Sequence, residues 1–139
     1  MTPEALAELH ARCFTVPRPF STGEFRDLLA AETCFLITCP QGFALGRATV
    51  DEAELLTLAV DPGHRRQGIG RALLADFEAE ARRRGARRAY LEVAAGNAAA
   101  RRLYAAAGYR DAGRRKAYYR DAGRQAEDAI VLDKPLITA

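Results

Sequence analysis

The densest chemistry of the chain lies between Leu55 and Arg84. There the apolar run Leu55-Leu56-Thr57-Leu58-Ala59-Val60 stops at Asp61-Pro62-Gly63, and a helical pattern starts after Arg65-Arg66-Gln67-Gly68-Ile69-Gly70. A strand, a basic glycine-containing turn and a helix are expected in that order. Gly68 and Gly70 put no side chain over the backbone N–H groups of the turn, and the first turn of a helix has several such donors without internal partners. With Arg65, Arg66 and Arg71 beside it, the turn suits an anion, and a pyrophosphate better than a lone carboxylate. The alternative is that both glycines serve only the geometry of a tight strand-to-helix turn. The Gly-Lys-Ser/Thr ending of a Walker loop is absent, and the dinucleotide pattern would need a third glycine where Leu73 stands, so the usual nucleotide folds are disfavoured.

Three residues downstream extend the set. Glu92 interrupts Ala89-Tyr90-Leu91-Glu92-Val93, an otherwise apolar strand in which a charge is costly without a purpose. A solvent-facing glutamate on an edge strand fits that pattern equally well. Asn97 reads as the N-cap of a helix, and Tyr104, two helical turns on, shares its face. Most helical tyrosines are core residues with a wet tip; a phenol with a pKa of about 10 can also donate to a thiolate.

The stretch Arg65-x-x-Gly68-x-Gly70 resembles the Arg/Gln-x-x-Gly-x-Gly/Ala pyrophosphate loop of the GNAT family of N-acetyltransferases, with Leu58-Ala59-Val60-Asp61-Pro62 as the strand before it. Leu91-Glu92-Val93, Asn97-Ala98-Ala99-Ala100, Leu103-Tyr104, Gly108-Tyr109, Tyr118-Tyr119 and Glu127-Asp128-Ala129 look like its RimI branch, the ribosomal-protein-alanine N-acetyltransferases. The resemblance is close over residues 43–136 and looser before them.

It implies acetyl-CoA as cosubstrate, with the pyrophosphate on Arg65, Arg66, Gln67, Gly68, Ile69, Gly70 and Arg71. The pantetheine arm would pair along Leu58, Ala59 and Val60 like an added strand, the Val60 N–H would reach the thioester oxygen, and Asn97 would contact the pantetheine or sulfur. Glu92 would be the general base and Tyr104 the general acid, in direct transfer without an acyl-enzyme. The implied acceptor is the N-terminal alanine amine of a small-subunit ribosomal protein. An α-amino group, with a pKa of about 7.7 to 8.0, needs only modest help to become neutral near pH 7, and a partly desolvated carboxylate would supply it. Two alternatives stand beside this: a different amine acceptor, lysine or a small molecule, and a non-catalytic acyl-CoA-binding module. The family's acceptor-side Pro-Trp-Ser is here Pro19-Phe20-Ser21.

These residues need a scaffold, and its elements are legible. Thr2-Pro3-Glu4 opens a helix through Cys13, and Ser21-Thr22-Gly23-Glu24 is a capping box for a second. Strands are expected over Thr33 to Cys39, Gly42 to Val50 and Glu54 to Val60 as an antiparallel meander. A helix over Gly68 to Arg84 would bury Ile69, Leu73, Leu74 and Phe77, and Arg82, Arg83 and Arg84 would complement its dipole before the cap Gly85. A strand over Arg87 to Ala94, a helix from Asn97 to Ala107, and strands over Tyr109 to Arg114, Lys116 to Arg120 and Glu127 to Leu132 around Asp121-Ala122-Gly123 complete the chain. Strand runs separated by two well-patterned helices indicate one α/β domain over residues 1–139. The resemblance adds a central mixed, mostly antiparallel sheet flanked by about four helices. Relatives begin with a strand before the first helix, so the sheet is expected to lack it.

Composition narrows the classes. The 139 residues are 49% hydrophobic, enough for one core. Acidic side chains are interspersed through a net charge of +3, and Arg82 to Arg88 contains no aromatic, so neither nucleic acid nor membrane partners are expected. No apolar run approaches a membrane span and Met1 to Phe14 is unlike a signal peptide, which places the protein in the cytoplasm. Cys13, Cys34 and Cys39 have no paired spacing, and His10 and His64 are isolated. Idle or buried thiols, a surface or core role for the histidines, and no metal are expected.

Overall fold

The structure is a computed structural model and describes residues 1–119 and 126–136. Helix α1 (Pro3–Cys13) starts where Thr2 accepts the Ala5 N–H and proline occupies its first position. Helix α2 (Thr22–Ala30) carries the full capping box: Ser21 accepts the Glu24 N–H, and the Glu24 carboxylate accepts the Ser21 N–H. Arg18 donates to the same carboxylate; that bond, with the Ser21 N–H, holds Glu24 down at about 2.

Strands β1 (Cys34–Cys39), β2 (Gly42–Thr49) and β3 (Glu52–Val60) form the expected meander. A short 3₁₀ turn, Pro62–His64, leads to α3 (Ile69–Arg83). After α3 the chain leaves through Gly85 at φ 93°, with Gly85 N–H on the Arg82 carbonyl and Ala86 N–H on the Ala81 carbonyl, a glycine-terminated helix end. Strand β4 (Arg88–Ala94), helix α4 (Ala98–Ala106), β5 (Arg110–Tyr119) and β6 (Glu127–Pro135) follow. The six strands make one sheet in the order β1-β2-β3-β4-β6-β5, antiparallel except for β3 with β4. No helix among the described residues is long and apolar enough to cross a membrane.

Two expectations change. Tyr109 to Arg114 and Lys116 to Arg120, read as separate strands, belong to the single strand β5, whose register slips between Arg115 and Tyr119. Ala117, at φ 50°, takes up the extra backbone there, and its N–H donates to Asp128 Oδ1 at 2.7 Å, so the pairing resumes instead of ending. The turn expected at Asp121-Ala122-Gly123 lies outside the described residues. Ile69 packs only partly buried, unlike Leu73, Leu74 and Phe77.

The sheet separates two apolar layers. On one face Leu73, Leu74 and Phe77 of α3 and Tyr104 of α4 pack with Leu55, Leu91 and Ile130; on the other Leu6, Leu9 and Phe25 of α1 and α2 pack on Phe43, Leu45 and Ala59. Gly46 makes room for the first layer, because a Cβ there would stand 2.6 Å from both the Phe35 and Phe77 rings, which stack 5.7 Å apart.

Strand β3 is what opens a site. Gly46 pairs with Leu55 and Leu45 with Thr57, so Leu56 is an inserted residue without a partner. Such a bulge bends its strand. Beyond it β3 and β4 part: their parallel pairing covers only Glu52 to Glu54 against Arg88 to Tyr90. Arg88, bonded to Glu52 and to Asp133, pins the closed end.

Candidate active site

The gap between the diverging strands is a cleft of about 990 Å³ that runs from the loop before α3 to the start of α4. One wall is Leu55 to Val60 of β3, the other Leu91 to Ala94 of β4. At its mouth, α3 differs from the other helices: Gly68 is its N-cap, so no side chain caps its first N–H groups, whereas Thr2, Ser21 and Asn97 cap α1, α2 and α4. Donors without internal partners and the positive end of the helix dipole therefore face a loop bearing Arg65 and Arg66, with Arg71 in the first turn of α3 itself. This arrangement fits an anionic pyrophosphate, and the cleft behind it fits a narrow arm.

The two loop glycines have different reasons. Gly68 has φ 77°, and a Cβ there would meet nothing within 4 Å, so backbone conformation selects glycine. At Gly70, expected to keep the ligand side clear, a Cβ would stand 3.3 Å from Leu103 and 3.8 Å from Leu58 and Val60, all of which line the cleft. Glycine there lets α3 and α4 approach β3, which shapes the cleft.

Leu58, Ala59, Val60, Arg65, Arg66, Gly68, Ile69, Gly70, Arg71, Glu92, Asn97 and Tyr104 all line the cleft; Gln67, exposed in the loop, does not. One edge of Leu58 to Val60 pairs with β2, leaving the other toward the cleft, and the Val60 carbonyl accepts the Cys13 thiol at 3.3 Å. Asn97 Oδ1 accepts the Ala100 N–H at 3.1 Å, which leaves the side-chain amide nitrogen as its donor group.

Glu92 was expected to be a partly desolvated carboxylate in an otherwise apolar strand, and its residue is of intermediate burial. Its side chain keeps 23% exposure, on the sheet face opposite Leu91 and Val93, and Arg115 Nη2 stands 3.3 Å from Oε1. It is not a sealed core charge: β4 lies inside the sheet, but at Glu92 it pairs only with β6, and its other edge opens on the cleft. Tyr104, only 7% exposed, comes from α4 on the other face, its ring meeting Tyr109 edge-on at 5.9 Å. Burial pushes the Tyr104 phenol above its usual range and keeps it a protonated donor. Tyr109 donates to Glu78, which also accepts Lys134 at 2.8 Å, so the neighbour that props Tyr104 is itself held.

Residues given no role in the sequence reading complete the site. Glu127 lines the cleft, and its Oε1 accepts the Gly96 N–H at 2.7 Å. Arg115 of β5 reaches Glu92 of β4 across the intervening β6, a contact that no local pattern announces. His10 is 1% exposed among Phe14, Phe20, Phe25 and Phe43, with Nδ1 accepting the Phe20 N–H at 2.8 Å and Nε2 2.7 Å from Thr57 Oγ1. The first contact requires the Nε2–H tautomer, which donates to Thr57. Burial lowers His10 to about 4, so it is a neutral tie between α1, the loop before α2 and the β3 bulge.

Comparison with known proteins gives the following. The acetyltransferase (GNAT) family model matches residues 4–109. The ribosomal protein bS18-alanine N-acetyltransferase of Escherichia coli is 44% identical over 94 residues, 68% of this chain and 63% of that protein, so the match spans under two thirds of the relative's length. The N-alpha-acetyltransferase RimI of Mycobacterium tuberculosis is 34% identical over 129 residues, 86% of this chain and 80% of that one. The crystal structure of the E. coli ribosomal-protein-S18-alanine N-acetyltransferase superposes with a TM-score of 0.86 at 34% identity, covering 99% of this chain and 89% of that chain.

Proposed function

The chain belongs to the acetyltransferase (GNAT) family, and from that premise we propose that it transfers acetyl from acetyl-CoA to the N-terminal alanine amine of a small-subunit ribosomal protein. The observation that carries this is the cleft itself: Glu92 enters it from β4 and Tyr104 from α4, where β3 and β4 diverge. The acceptor in this proposal is taken from the likeness to the ribosomal protein bS18-alanine N-acetyltransferase of Escherichia coli, and the N-alpha-acetyltransferase RimI of Mycobacterium tuberculosis supports transfer to an α-amine.

Acetyl-CoA brings an activated thioester. The uncapped start of α3 receives its pyrophosphate, flanked by Arg65, Arg66 and Arg71, with Gln67 contributing backbone only. The free edge of Leu58, Ala59 and Val60 pairs with the pantetheine amides, the Val60 N–H donates to the thioester oxygen, and the Asn97 amide nitrogen donates to the pantetheine or sulfur. Glu92, directly or through a water, takes the proton of an acceptor ammonium whose pKa of about 8 makes that transfer undemanding. The neutral amine attacks the carbonyl carbon, the C–S bond breaks as Tyr104 gives its proton to the departing thiolate, and the second proton that the nitrogen sheds in becoming an amide passes to water, from which Tyr104 is reprotonated.

A different amine acceptor is the second reading, and the observation favouring it is Phe20. This residue stands in the middle of Pro19-Phe20-Ser21, lines the acceptor side of the cleft, and is held there by His10.

Mass spectrometry of ribosomal-protein N-termini from a strain lacking the protein separates the readings. Loss of one N-terminal acetyl group supports the proposal. An unchanged set with altered lysine or metabolite acetylation supports the second reading, and acetyl-CoA binding without turnover on any amine reduces the protein to a binding module.

A further inference from the structure

The acceptor side of the cleft holds an ion pair that acetyl transfer does not itself require. Arg115 of β5 is registered with Ala129 of β6, and Ala129 with Ala94 of β4. Registered residues share a sheet face, and two alanines leave that row low. The Arg115 side chain can therefore cross it to Glu92, two residues earlier in β4, where the charged groups stand 3.3 Å apart. The backbone beneath Arg115 is pinned on both sides, because Asp128 accepts Arg114 Nε at 2.7 Å and the Ala117 N–H at 2.7 Å. The guanidinium is loosely held: its side chain is 54% exposed, paired with Glu92 and lying over the face of the exposed Tyr118.

We propose that Arg115 is a displaceable counter-ion for Glu92, occupying its carboxylate in the free protein and yielding that place to the ammonium group of the acceptor. This rests on the reading of Glu92 as the residue that receives the acceptor amine. Glu92 is largely covered by the cleft wall and has the Glu127 carboxylate on its face, so a cation beside it is favourable. An ion pair as exposed as this one is weak, so exchanging one cation for another costs little. The exchange has a chemical direction. A guanidinium cannot lose its proton in a protein, whereas an α-ammonium can pass one to Glu92 and become the nucleophile. Arg115 is thus a positioning residue that favours cationic amines, since an uncharged acceptor cannot take its place.

Steady-state kinetics test this, with acetyl-CoA saturating and an alanine-terminated peptide varied. In Arg115→Ala the KM for peptide should fall about two- to fivefold, the scale of an exposed ion pair, without a matching fall in kcat. Arg115→Lys, which keeps a cation in reach, should stay near wild type. In a Glu92→Gln background the same alanine substitution should leave the KM where it was. A KM that is unchanged or raised in Arg115→Ala overturns the proposal, as does a fall that persists without Glu92. Calorimetric titration of the peptide into the protein–CoA complex gives the same comparison as an affinity where turnover is too slow to follow. Failure of the underlying reading looks different: Glu92→Gln would then transfer acetyl as fast as wild type, whatever Arg115 does.

Discussion

The Glu127 carboxylate accepts the Gly96 N–H at 2.7 Å across thirty-one residues of chain, tying the first residue of β6 to the turn that launches α4. Gly96 is followed at once by Asn97, the α4 cap, and two turns later by Tyr104. The position of the proposed acid thus depends on a carboxylate in a different strand. Truncating Glu127 to Ala frees the turn, so kcat should fall by about tenfold while acetyl-CoA still binds, and stability should drop by about 1 kcal/mol, the usual net worth of one hydrogen bond. Urea unfolding and single-turnover kinetics read the two effects separately; a kcat at wild-type level would show that the tie does not position the helix.

Gly68 and Gly70 predict different failures. Gly68→Ala meets no atom but forces a side chain into a left-handed backbone, a cost of roughly 1 to 2 kcal/mol, which the loop should relieve by relaxing. Acetyl-CoA affinity should weaken by about tenfold with little change in melting temperature of the acetyl-CoA-free protein beyond that strain. Gly70→Val drives carbon into Leu103, Leu58 and Val60, so the melting temperature should fall before cofactor affinity is considered. Calorimetry with thermal melts distinguishes them, and equal affinity in Gly68→Ala and wild type would remove the loop from the site.

Tyr104→Phe removes only the donor. Acetyl-CoA should bind normally while kcat drops by about 10²- to 10⁴-fold, and a thioester with a more acidic thiol should recover part of that loss. Because burial raises the phenol pKa, the wild-type rate should not decline through pH 10 from loss of the Tyr104 proton. A variant close to wild type, with the chemical step shown to limit the rate, would exclude Tyr104 as the acid.

His10 makes stability depend on pH. In the folded protein burial lowers it from 6.5 to about 4, so at pH between those values the unfolded chain binds the extra proton and the folded one does not. The contribution is fully present above about pH 6.5 and is lost as the pH falls through about 4. Comparing stabilities from denaturant unfolding, the wild type should lose on the order of 3 kcal/mol more than His10→Gln across that window. Parallel pH profiles for the two proteins would show that His10 is not buried in neutral form.

Much of this protein is readable along the chain because its signals are local. Helix caps at Thr2, Ser21 and Asn97 act within three residues of themselves, and the apolar run from Leu55 to Val60 marks a strand. The cleft-lining residues between Leu58 and Arg71 are legible for the same reason, since one strand, one loop and one helix start supply them within a short stretch, though Gln67 falls outside the lining. Tertiary structure alone decided the rest. The bulge at Leu56 shows only in its register against β2, and the parting of β3 from β4 only in where their pairing stops. Local pattern cannot say that Gly70 faces Leu103, that β5 continues through Ala117, or that Glu92 looks out on Arg115 instead of into a core. Each of those facts is set by which distant segments share a sheet face, and strand order and register, not the identity of a residue's sequence neighbours, determine that.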